Sequence, residues 1–200
     1  MGYNAVMADV LSYRAYVMAM ERVEQRLRKV TAALDAAGVR YAVIGGNAVA
    51  VWVSKADPAA TRTTKDVDLL VNQTDLPQIR TAIEGLGFQY QDLRRISLFI
   101  DPDEPSRMSG VHLIWAGKKV RPSYLHEAPT IDEAVFDPEG FWVLDLAALV
   151  RMKLTSFRDM DRVHIADLLR VGMIDDAVLR LLPIDLHERL DSIKQSIDDV

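Results

Sequence analysis

The chain contains no cysteine, which removes disulfides, thiolate metal sites and a cysteine nucleophile from consideration. It also lacks an excess of positive charge: 24 Lys and Arg face 29 Asp and Glu, for a formal charge of −5. Counterion release over a broad basic surface is thereby excluded, and any nucleic-acid contact must be local. No apolar run approaches the roughly 18 residues that mark a membrane span. The opening MGYNAVMADVLSYRAYVMAM is broken by Asp9 and Arg14 and shows neither a leading basic segment nor a cleavage site. These absences predict a soluble, cytoplasmic protein with no membrane partner. Internal repeats and low-complexity tracts are missing too. What the chain does have is 50% hydrophobic residues over 200 positions, enough for one sizeable core.

Apolar residues at Val17, Met20, Val23, Leu27, Val30 and Leu34 recur at helical steps, predicting a helix over 15–37 that Gly38 ends. Arg26, Arg28 and Lys29 fall late in it, where cations suit the helix dipole. Tyr41–Ile44 is a short apolar strand, Gly45-Gly46 a tight turn, and Asn47–Trp52 the start of a helix. The stretch 54–65 reads as a long loop rich in hydroxyl and basic residues. Val67–Val71 is a second strand, and Thr74 caps a helix that runs to about Leu86. Further strands are expected near Phe88–Tyr90, at Ile96–Ile100 and at Val111–Trp115. From Leu144 onward only helices are predicted, the last two over 174–182 and 185–197 with Asp185 as a cap. The arrangement is an α/β (α+β) body: an N-terminal helical segment at 1–34 packs on a core at 35–140, and a helical subdomain follows at 141–200.

Asp66 and Asp68 are two apart on a strand, so both carboxylates face one side with Cβ atoms about 6–7 Å apart. Like charges beside an apolar strand are costly unless a cation compensates them. Mg²⁺ suits the pair because it takes hard oxygen ligands and keeps water and phosphate in its shell. Two surface aspartates at a strand's start would show the same spacing. The Gly45-Gly46 turn before a helix adds backbone N–H groups of the kind that bind anions. It is neither a P-loop nor a dinucleotide fingerprint. Lys153 lies among Val150, Met152 and Leu154 and, if turned inward, needs an anionic partner. Arg158, Asp161 and His164 follow at three-residue steps and read equally as an ion-pair cluster. Trp115 reads first as a core-packing residue and otherwise as one that flanks a pocket, and Arg94-Arg95 and Lys118–Arg121 are short basic patches.

The run YAVIGGNAVAVWVSKADPAATRTTKDVDLLV resembles the core motif of the nucleotidyltransferase-like fold, the DNA polymerase beta superfamily. It is most similar to the small bacterial branch that includes the AbiEii-type toxins. The resemblance implies a mixed sheet flanked by helices and a helical C-terminal subdomain. It implies that Gly45, Gly46 and Asn47 contact the triphosphate of an NTP, and that Asp66 and Asp68 bind Mg²⁺. Arg62 and Thr64 complete an R-x-T-x-D-h-D pattern, and Lys153 corresponds to a family lysine that reaches the phosphates. Active members carry a third carboxylate on a later strand. In GVHLIWAG that slot falls to His112, with Asp101 and Asp103 as substitutes from the preceding loop. The implied activity is NMP transfer to a hydroxyl of an RNA, a protein or a small molecule, in a toxin–antitoxin context with a cognate partner. The alternatives are an impaired relative that binds nucleotide or a partner protein, and a metal-assisted hydrolase. Oligomeric state is not legible.

Overall fold

The computed structural model describes residues 3–93 and 96–198; the Arg94-Arg95 patch lies outside them. The first element, α1 (Tyr3–Ala36), is one continuous helix that begins well before the expected residue 15. Its body-facing stripe is Val23, Leu27, Val30 and Leu34. Gly38 adopts φ +67°, and the Val39 N–H donates to the Leu34 carbonyl. That left-handed closure satisfies carbonyls the helix end would otherwise leave free.

Seven strands form one mixed sheet, in the order β3-β4-β5-β2-β1-β7-β6. They are β1 (Tyr41–Ile44), β2 (Val67–Val71), β3 (Gln89–Leu93), β4 (Ile96–Ile100), β5 (Val111–Trp115), β6 (Ala134–Asp137) and β7 (Phe141–Leu144). The β2/β5 and β1/β7 pairs are parallel and the others antiparallel. The helices α2 (Gly45–Ala56) and α3 (Leu76–Glu84) alternate with the early strands. A C-terminal helical subdomain follows: α4 (Leu146–Ser156), α5 (Asp159–Arg170), α6 (Asp176–Leu181) and α7 (His187–Asp198). Helices α1 and α3 pack on each other and on the sheet, while α2 bridges β1 and β2 to α4 and α5.

Fully buried Tyr41, Leu69, Leu70, Phe99, Leu149 and Leu154 belong to one continuous core spanning sheet and helices. Several local expectations shift. Thr74 does not cap α3; it sits in a short 3-10 turn, and α3 begins two residues later with Pro77 in its first turn. Pro77 has no N–H to lose there. Asp185 likewise lies in a 3-10 turn and pairs with His126 rather than capping α7. The hairpin β6–β7 was not visible in the sequence, and it places residues 141–144 in the sheet. No described helix is long and apolar enough to cross a membrane.

Candidate active site

The site forms where β1 ends, β2 begins and β5 begins. In register, Asp68 of β2 lies between Ile44 of β1 and His112 of β5, so the carboxylate and the imidazole share one row and one face. Asp66 precedes β2 by one residue and its carboxylate turns to the same place. His112 Nδ1 is 3.3 Å from Asp68 Oδ1 and 3.6 Å from Asp66 Oδ2. One ligating atom from each of the three residues lies within 4.8 Å of the others. This is the two-aspartate-plus-histidine arrangement expected of a nucleotidyltransferase site with its third carboxylate exchanged for imidazole.

Each member is braced. Thr64 Oγ1 donates to Asp66 Oδ1 at 2.6 Å, and Asn47 Nδ2 donates to the Asp66 carbonyl at 2.7 Å. His112 Nε2 lies 2.8 Å from the Arg107 carbonyl. A carbonyl only accepts, so Nε2 carries the proton and Nδ1 is the atom that faces the carboxylates. Burial pushes Asp66 up, but hydrogen bonds from His112 and Thr64 outweigh it and hold the carboxyl below its usual range. The same bonds to Asp66 and Asp68 push His112 up to about 10. When protonated, the ring donates to the Asp68 carboxylate and has no lone pair with which to take a proton.

The glycines explain how the carboxylate comes so near a helix terminus. Gly45 opens α2 at φ +68°, and a Cβ there would lie 2.0 Å from Asp68 Oδ2. A Cβ at Gly46 would lie 2.9 Å from the Thr64 Cβ. Both residues are glycine because the Asp68 and Thr64 side chains fill the space beside the turn.

The remaining predicted residues do not all converge here. Lys153, expected at the phosphates, is buried and pairs with Asp161 at 3.1 Å. Asp161 also accepts from Ser156 Oγ and from Arg158 Nε. Burial pushes it up, yet Arg158, Lys153 and Ser156 together bring it down to about 2. Arg62 reaches from the loop before Asp66 to α5 and holds both oxygens of Asp167. His164, beside these groups, is pushed down to about 4, chiefly by burial and then by Lys153, and its Nδ1 has no partner. Asp101 is bound to Arg26 and stands outside the Asp66–Asp68–His112 cluster; Asp103 is exposed. Trp115 lines a cleft of about 390 Å³ with Tyr90, Ser97 and Lys118, away from the cluster.

Sequence reading missed the Arg107 carbonyl and Arg26. The first is a main-chain atom and carries no signal of its own. The second was signalled: Arg26 falls three residues after Val23 and one before Leu27, inside the apolar stripe of α1.

The donor set suits a divalent cation. Two carboxylates are the hard ligands Mg²⁺ takes, and a neutral His112 would offer Nδ1 as a third, held in orientation by the Arg107 carbonyl.

No family model matches the chain, and no curated protein matches it. Solved structures do. The solution structure of the antibiotic-resistance factor ANT(2'')-Ia aligns over 90% of this chain and 98% of its own, with 16% identity and a TM-score of 0.58. Its crystal structure with adenylyl-2''-tobramycin covers the same shares at 16% identity and a TM-score of 0.47. A candidate nucleotidyltransferase from Thermotoga maritima aligns over 75% of this chain and 91% of its own, at 15% identity and a TM-score of 0.46. At such identity the first likeness establishes fold alone. The chain shares the fold of ANT(2'')-Ia.

Proposed function

We propose that the protein is a metal-dependent nucleotidyltransferase that moves an NMP from an NTP to a hydroxyl of an acceptor. The observation that carries this is the convergence of Asp66, Asp68 and His112 beside the glycine turn that opens α2. Asp66 and Asp68 would hold Mg²⁺, which when bound supplies Lewis acidity at a phosphate and offsets charge in the transition state. Gly45, Gly46 and Asn47 begin a helix whose first N–H groups have no intrahelical acceptors, the natural seat for the phosphates. Thr64 and Asn47 fix the Asp66 carboxylate and carbonyl, so the ligand geometry is set before anything binds. Arg62 lies at the rim and reaches an anion on leaving Asp167. Lys153 acts from behind, by holding Asp161 between α4 and α5.

The imidazolium of His112 favours a second reading. A catalytic base must have a lone pair at working pH, and the two carboxylates favour the protonated ring, which has none. A relative that binds nucleotide, or a partner protein, without transferring would keep every other feature of the site. The AbiEii-like motif narrows the first reading further, to a cytoplasmic toxin with a cognate antitoxin and an RNA or protein acceptor. The sheet with its flanking helices, through β7, would then be the catalytic unit in place of 35–140, and the helices from α4 onward the helical unit in place of 141–200.

Calorimetric titration with each of the four NTPs tests the proposal, run with Mg²⁺ and with EDTA, on wild type and D68N. Micromolar binding that requires Mg²⁺ and is lost in D68N is the expected result. Absence of binding by every NTP would leave the motif as architecture and refute the nucleotide reading. Binding without any labelled acceptor product would favour the second reading.

A further inference from the structure

A guanidinium inside a protein of this size is expensive to bury and is seldom there without several acceptors. Arg26 of α1 is only 3% exposed. Its Nε donates to Asp101 Oδ2 at 3.1 Å and its NH2 to Glu104 Oε2 at 2.7 Å. Its NH1 reaches the Lys65 carbonyl at 3.4 Å. These acceptors lie on the two segments that flank the candidate metal site. Lys65 immediately precedes Asp66. Asp101 and Glu104 bridge each other across the start of the 101–110 loop, and that loop carries the Arg107 carbonyl that orients His112. Val67 N–H donates to the Gly110 carbonyl, so the two segments are also stitched together at their far ends. One planar side chain on a helix remote in sequence therefore holds both shoulders of the triad at once.

We infer that Arg26 is a positioning residue: it sets the separation between the Asp66 carboxylate and the His112 ring. The inference rests on the reading of Asp66, Asp68 and His112 as a metal-holding group. The chemistry selects arginine. Its fork presents donors in several directions in one plane, whereas lysine offers a single point charge on a flexible stem. Asp101 and Glu104 bring two negative charges to it, so the buried guanidinium is more than neutralised, and the excess falls on Glu104, which is partly exposed to water. Residues acting on metal ligands in this way change metal affinity by about 10- to 100-fold when altered.

The test compares wild type, R26Q and L190A. Leu190 is buried in α7, away from the triad, so its truncation loosens the protein without touching either shoulder. Mn²⁺ binding is measured by calorimetry, stability by urea unfolding, and the His112 ring by long-range proton–nitrogen NMR. R26Q should bind Mn²⁺ at least about tenfold more weakly and move the His112 ring resonances. L190A should lose stability and leave both unchanged. Mn²⁺ affinity within about twofold of wild type in R26Q, with His112 unmoved, would overturn the inference. So would an equal loss of affinity in L190A, because the effect would then be general loosening. If wild type itself takes no Mn²⁺, the metal reading fails, and the His112 spectrum alone decides on Arg26. If R26Q does not fold, R26K is measured in its place under the same criteria.

Discussion

Asp68 Oδ2 occupies the space where a side chain at position 45 would begin. G45A must therefore move either the carboxylate or the turn, and it also places alanine at φ +68°, a conformation alanine resists. The expected outcome is a loss of at least about 2 kcal/mol of stability by urea unfolding, together with loss of metal binding. A G45A protein with wild-type stability and Mg²⁺ binding would show that the turn is slack. At this scale much of the site was legible. Two aspartates two apart on a strand must share a face, and the glycine pair marked the turn from β1 into α2. The role of the glycines was not legible, because only the structure shows which side chains fill the space beside them. The place of Arg26 in the apolar stripe of α1 signalled burial, but not its acceptors, which lie at least 39 residues away in sequence.

Among elements, the junction of α4 and α5 carries its own chemistry. Lys153 and Asp161 are both buried and 3.1 Å apart. Removing one partner leaves an uncompensated charge in a place water does not reach, so D161A should cost about 3–5 kcal/mol. K153M/D161L, which replaces the pair by apolar groups, should cost much less. Urea unfolding of K153M, D161L and the double closes the cycle, and additive losses would show that the two side chains do not act on each other. Helices from Leu144 onward were readable in the sequence, and Lys153, whose inward turn the sequence left open, is buried. Its partner was not readable, since periodicity places a residue on a face without saying what it meets. The β6–β7 hairpin escaped because each strand has four residues, too few to display alternation.

For the whole molecule, stability should form a dome against pH. His164 is pushed down to about 4 from an ordinary 6.5, so the unfolded chain takes its proton first; this contribution is complete above about pH 6.5 and is lost as pH falls toward 4. Asp161, held to about 2, contributes above its ordinary 3.8 and is lost on further acidification. His112 runs the other way: raised to about 10, it contributes fully below pH 6.5 and is lost as pH climbs through 10. Urea midpoints should therefore peak near neutrality. H164Q should flatten the fall between pH 6.5 and 4, and an unaltered slope would exclude His164 as its source. Fold class was legible at this scale from strands alternating with helices. Strand order was not, because a chain's periodicity does not say which strands become neighbours. That order has a temporal side. Val43 of β1 pairs with Val143 of β7, 100 residues later, and at about 5–20 residues per second that stretch takes roughly 5–20 s to synthesise. Throughout that interval β1 has a bare edge, the kind that recruits stray strands. The nascent chain thus carries Asp66, Asp68 and His112 well before the sheet around them can close.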